Sequence, residues 1–235
     1  MVAHTARRFA GADGPSMGLA VAAGASAEIS SATNALRLLG IGDSIVSGVG
    51  ASSTDKAFVG QTARALADRL DASIHWHALG TSGFNVKQVV NGLIPLLHQQ
   101  NVAAFDAIII SVGVNDITSM TTTRTFRREL TRLLQALNQH SPEAIVLLCG
   151  LPPMRKFPLL PQPLRSVMGL RAEILDRTAH RVVSRLPFAI HALLDFDPTP
   201  AHFCDDGYHP NEASYAELGV YMADWIVTRL ESKLL

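Results

Sequence analysis

Leu36-Arg37-Leu38-Leu39-Gly40-Ile41-Gly42-Asp43-Ser44 decides the fold. Residues 36–41 are a short, mainly apolar run closed by glycine, which predicts a strand buried in a sheet rather than a helix. Gly42, Gly48 and Gly50 then mark a tight turn, with Ser44 at its start. Similar runs recur at 74–79, 107–112, 144–148 and 188–194. Between and after them, apolar residues return at spacings of three and four: Val59, Ala63, Leu66 and Leu70; Val86, Val89, Val90, Leu93 and Leu97; and Phe126, Leu130, Leu133, Leu134 and Leu137. Val167, Leu170, Ile174, Leu175 and Val182 form a fourth set, and Tyr215, Leu218, Met222, Trp225 and Ile226 a last one. Strand-like runs alternating with helical stripes predict a parallel α/β sheet covered on both faces. Pro95 predicts a kink or early end in the second helix.

The whole chain has 235 residues, enough for one full-sized core, and we expect a single domain over 36–235 preceded by an N-terminal extension over 1–35. Twenty Lys and Arg balance twenty Asp and Glu, so the chain lacks the basic footprint that draws proteins to nucleic acid. Cys149 and Cys204 lie far apart and in no metal-ligand spacing, which argues against a disulfide framework or a zinc site and for two free thiols. No run approaches the roughly 18 apolar residues of a membrane span, so stable membrane insertion is not expected. Arg7 and Arg8 followed by the small apolar run 18–27 imitate a signal peptide. That run has a single leucine and follows Asp13, Gly14 and Pro15, so a cytoplasmic location is expected.

In an open parallel sheet, ligands bind beyond the carboxyl ends of the strands, which puts Ser44 at the natural site. A serine there is also a common helix cap. Asp206-Gly207-Tyr208-His209-Pro210, near the other end of the chain, changes the weighting. An imidazole three residues after a carboxylate can be oriented through one nitrogen and take a proton from Ser44 with the other, the arrangement of nucleophile, base and orienter. Acyl transfer also needs donors for the oxyanion. Asn115, in Gly113-Val114-Asn115-Asp116 after the third strand, and Gly83, in Thr81-Ser82-Gly83 after the second, stand on the same rim. The Ser44 N–H would be a third donor.

These four blocks, Gly42-Asp43-Ser44, Gly83, Gly113-x-Asn115 and Asp206-x-x-His209, resemble in order those of the SGNH (GDSL-type) hydrolase family. The resemblance covers about residues 36–235. It implies a three-layer, flavodoxin-like α/β/α sandwich with a five-stranded parallel sheet, and one catalytic domain. It also implies Ser44 as nucleophile, His209 as base, Asp206 as orienter, and Ser44, Gly83 and Asn115 as the oxyanion hole, with no metal or organic cofactor. Residues 151–165 resemble a bacterial, lysophospholipase-like branch of the family.

The expected reaction is hydrolysis of small carboxylic esters through an acyl-enzyme. A carbohydrate O-deacetylase or a thioesterase would use the same residues. A flavodoxin-like binder of phosphate or nucleotide is the non-enzyme alternative, but it leaves Asn115 and the Asp206/His209 pair unexplained. Gly80 rivals Gly83, His202 rivals His209, and Asp205 would replace Asp206 if the loop slipped by one residue. His75 and His77 alternate onto one strand face without a ligand cluster and read as packing residues. Asp43 and Asp116 read as loop-shaping acceptors.

Residues 151–168 combine Pro152, Pro153, Pro158, Pro161 and Pro163 with Met154, Phe157, Leu159, Leu160 and Leu164. Such prolines disfavour regular structure, and the apolar side chains are too many for a loop that merely faces water. Because the stretch follows the fourth strand, it reads as a flap whose Met154 and Phe157 bind substrate beside Ser44, with ordinary packing or a subunit contact as the alternative.

Overall fold

The computed structural model describes residues 10–23, 35–99, 102–157 and 160–233. Arg7, Arg8, residues 24–27 of the small apolar run, Pro158 and Leu159 lie outside the described residues. The strands are β1 (Met17–Ala20), β2 (Leu36–Gly42), β3 (Ile74–Gly80), β4 (Ala107–Ser111), β5 (Ile145–Cys149) and β6 (Ala189–Ala192). The helices are α1 (Phe58–Leu70), α2 (Val86–Gly92), α3 (Ile94–Gln99), α4 (Val114–Thr118), α5 (Thr123–His140), α6 (Leu164–Val183) and α7 (Glu212–Lys233).

One sheet runs in the order β1-β3-β2-β4-β5-β6. From β3 to β6 the neighbours are parallel, in the flavodoxin-like order. The expectation of five parallel strands needs correcting, because a sixth strand, β1, adds antiparallel to the edge of β3 and makes the sheet mixed. Residues 10–23, within the segment set apart as an extension, lie on the body of the fold. Ala12 N–H donates to Ser47 O at 2.9 Å, and Ala78 N–H to Ser16 O at 2.7 Å.

Alternation along the strands divides the core into two. Leu39, Ile41, Ile108, Ile110, Val146 and Leu148 face α2, α3, α5 and α6. Leu38, Ile74, Trp76, Ile109, Ile145 and Leu147 face α1 and α7. This is a three-layer α/β/α sandwich. α5 shows why the helices dock: Phe126, Leu130, Leu133, Leu134 and Leu137 are all buried, each worth about 1.5–3 kcal/mol relative to exposure. α1 lies close on β2 because Gly40 has no side chain, and a Cβ there would sit 2.2 Å from Val59 Cγ2.

Two helical readings need correction. The second helix breaks after Gly92, before the proline, and Pro95 is instead the second residue of α3. The first turn of a helix has N–H groups without partners, so a proline costs little there. α6 begins at Leu164, inside the stretch expected to be irregular, and of the stripe read for it only Leu175 and Val182 are buried. Val167 and Leu170 are each 49% exposed and Ile174 is 38%, while Met168, Ala172, Leu175, Ala179 and Val182 face the core.

Candidate active site

β2 lies between β3 and β4, where the strand order reverses and a crevice opens beyond the carboxyl ends. The ladder continues one residue past β2, as Asp43 N–H donates to Ser111 O at 3.1 Å. The chain then winds tightly, with Ser47 N–H bonded to Asp43 O at 3.0 Å and Val49 N–H to Ser44 O at 3.0 Å. Ser44 sits at the head of this turn. Gly50, at φ 96°, lets the turn lie against the loop of His209, and a Cβ there would be 2.3 Å from Pro210 O.

His209 Nε2 lies 2.9 Å from Ser44 Oγ, and His209 Nδ1 lies 2.6 Å from Asp206 Oδ2. A carboxylate only accepts, so Nδ1 carries the hydrogen and Nε2 meets the hydroxyl as an acceptor. Asp206 Oδ1 accepts the backbone N–H groups of Tyr208 at 2.8 Å and His209 at 2.9 Å. Burial alone would raise the Asp206 carboxyl, but the hydrogen bond from the His209 side chain and those two N–H groups outweigh it and hold it below its ordinary value. Of the two acidic neighbours, then, Asp206 meets the imidazole. Cys204 Sγ also donates to Asp206 Oδ1, at 3.2 Å. His202 instead closes its own loop, accepting from Thr199 N–H at 2.9 Å through Nδ1.

The two side-chain and loop donors proposed from sequence occupy the neighbouring strand ends. Phe84 N–H bonds back to Thr81 O at 3.2 Å, with Gly83 at φ 84° in the third position of the turn, where a residue with positive φ is required. A Cβ on Gly83 would meet nothing within 4 Å, so its backbone is open to approach. Gly80 differs: a Cβ there would lie 2.4 Å from Ser47 N, and this glycine lets β3 pack on the Ser44 turn. Asn115, in the first turn of α4, donates one amide hydrogen to Phe84 O at 3.0 Å. Asp43 is buried beside Ser44, and desolvation pushes its carboxyl up to about 7.

A cleft of about 400 Å³ opens over Ser44 and His209. Met154 and Phe157 line it, as do Ile45, Val112, Val114 and Leu151. Phe157 stacks edge-on against Tyr208 at 6.2 Å, and Tyr208 against His209 at 5.3 Å, so the flap adjoins the imidazole through one ring. A neighbouring part of the lining, with Leu193, Leu194 and Phe196, did not emerge from sequence. It follows β6, and the strand-end rule that singled out residues 151–168 would have found it.

The sequence profile of the GDSL-like Lipase/Acylhydrolase family matches residues 41–217. A search of curated proteins gave no match. Among solved structures, the psychrotrophic esterase EstA from Pseudoalteromonas sp. is 18% identical, with 83% of this chain and 98% of that one covered at a TM-score of 0.60. A lipase/acylhydrolase from Enterococcus faecalis is also 18% identical, covering 83% and 96% at 0.62. A family 3 carbohydrate esterase from Clostridium thermocellum is 14% identical, covering 85% and 98% at 0.63. Likeness at such identity speaks for the fold, whereas the profile spans most of the sheet and both ends of the hydrogen-bonded Ser44–His209 pair. The chain therefore belongs to the GDSL-like lipase/acylhydrolase family, the SGNH hydrolases that its four sequence blocks resemble, and is a hydrolase of that family.

Proposed function

We propose that this protein hydrolyses carboxylic esters of short to medium acyl chains through an acyl-enzyme on Ser44. The observation that carries the reading is the chain Asp206–His209–Ser44, bonded at 2.6 and 2.9 Å, with Ser44 and His209 lining an apolar cleft. In this scheme Ser44 Oγ attacks the ester carbonyl as His209 Nε2 takes its proton. Asp206 holds the ring and stabilises the imidazolium. The N–H groups of Ser44 and Gly83 and the Asn115 amide receive the oxyanion. His209 then returns the proton to the leaving alcohol, and water, activated the same way, releases the acid. The scheme calls on no metal or organic cofactor.

Met154 and Phe157 form part of the acyl wall in this reading; the lysophospholipase-like resemblance of residues 151–165 does not itself set the substrate. The experiment is a panel of p-nitrophenyl esters of increasing chain length beside acetylated sugars and acyl thioesters, with Ser44→Ala as control. Preference for short to medium esters, a silent control, and a changed chain-length profile in Phe157→Ala or Met154→Ala support the proposal. Faster turnover of acetyl sugars or thioesters would replace the substrate class. An inert protein that retains a phosphate-bearing ligand would replace the enzyme reading.

A further inference from the structure

Asp116 is fully buried and takes no part in the proton transfers described above. Its Oδ2 accepts the Val86 N–H at 2.9 Å, which joins the first turn of α4 to the first residue of α2. The adjacent side chain, Asn115, bonds Phe84 O at 3.0 Å. Two consecutive side chains thus grip one short segment, residues 81–86, that contains the Gly83 turn. The other end of that segment is tied toward the nucleophile, since Thr81 N–H donates to Gly42 O at 3.1 Å. The N-terminal box of α2 serves other groups: Asn85 and Gln88 each bond the other's backbone N–H at 3.0 Å, leaving the Val86 N–H to Asp116.

We propose that Asp116 is a positioning residue for the oxyanion donors, fixing the start of α2 and through it the Gly83 turn and the orientation of the Asn115 amide. This rests on the ester-hydrolase reading above. An apolar side chain would pack α4 against α2 without desolvating a carboxyl group, so what Asp116 contributes is direction. An amide has two hydrogens, and Phe84 O takes one of them. The orientation of the other is therefore set by where residues 84–86 stand. Donors must match the place where charge develops, and a displacement of about 1 Å costs on the order of a hundredfold in rate.

The test compares kcat and KM on p-nitrophenyl butyrate for Asp116→Leu, Asp116→Asn, Val86→Pro, Asn115→Ala, the Asn115→Ala/Asp116→Leu double variant and Ser44→Ala, each checked by thermal melting. Val86→Pro removes the N–H that Asp116 accepts and keeps the helix, since proline suits the first helical position and Asn85 already has an extended backbone. It supplies the same loss from the other partner if Asp116→Leu does not fold. We expect Asp116→Leu and Val86→Pro to lower kcat about tenfold to a hundredfold with KM within about twofold. Asp116→Asn, which keeps an oxygen for the N–H, should recover most of kcat. The double variant should fall by less than the product of the single effects. Losses that multiply in full, losses confined to KM, or equal losses in the Asn and Leu variants would overturn the positioning role while leaving the nucleophile in place. Undiminished hydrolysis by Ser44→Ala would instead remove the reaction on which the role depends.

Discussion

Replacing Asp43 with asparagine probes the electrostatics beside Ser44. The carboxyl group is 1% exposed, and burial moves it from 3.8 to about 7. Both bonds it accepts, from Ile45 N–H at 3.1 Å and the Ser111 hydroxyl at 3.3 Å, end on Oδ1, which an asparagine oxygen can reproduce. Between about pH 4 and pH 7 the unfolded chain carries the carboxylate while the folded chain keeps the proton. The folded state therefore binds more protons in that window, so Asp43 makes stability fall as pH rises and stay lower above it. A shift of about three units, at about 1.4 kcal/mol each, sets an upper limit of about 4 kcal/mol. Asparagine has no proton to lose, so the difference between wild type and variant isolates Asp43 from other titrating groups. Urea unfolding of both proteins at several pH values should show the variant gaining about 2–4 kcal/mol on wild type between about pH 4 and pH 8. A difference flat to within about 0.5 kcal/mol would refute the reasoning.

His209→Ala should cost about three orders of magnitude in kcat with the circular dichroism spectrum unchanged, because it removes the proposed base from a rim loop. Asp206→Asn should also impair turnover, since an amide can donate to Nδ1 and select the wrong tautomer; full activity there would remove Asp206 from the mechanism. Gly40→Ala places a methyl group 2.2 Å from Val59 Cγ2 and should lower stability by about 1–3 kcal/mol in urea unfolding. Val59→Ala in the same chain should return part of that loss.

The four sequence blocks were legible because each stands where a strand-like run meets a turn residue, and strand ends in a parallel sheet share one rim. β1 was not: Met17-Gly18-Leu19-Ala20 belongs to a run of small residues that imitates a signal peptide and shows no strand alternation, and its partner is β3, far along the chain. Gly18 fits there because the Trp76 ring passes where its Cβ would be, 2.4 Å away at the nearest atom, a condition set by the partner. α6 misled for a different reason. Apolar residues stand on both faces, and a spacing of three and four identifies a stripe without saying which way it looks. Its inner face is built partly of small residues, with Gly169 against the backbone and side chain of Arg155. The cleft wall at Leu193 and Phe196 was hidden by Asp195 and Asp197, which give the segment the composition of a solvated loop.

The hydrogen bond between Ser44 and His209 spans 165 residues of sequence. During synthesis, the turn of Ser44 is therefore made long before the imidazole that would activate it. The loop of His209 runs straight into α7, which is held to the turn and to α1: the Tyr215 hydroxyl donates to Val49 O at 2.6 Å, and Gly219 lies against the backbone of Gln61 and Thr62. On the proposed mechanism a nascent chain has the nucleophile without its base until the last helix is made. On that mechanism, damage to the α1–α7 contact would leave Ser44 without its partner even where the sheet had already formed.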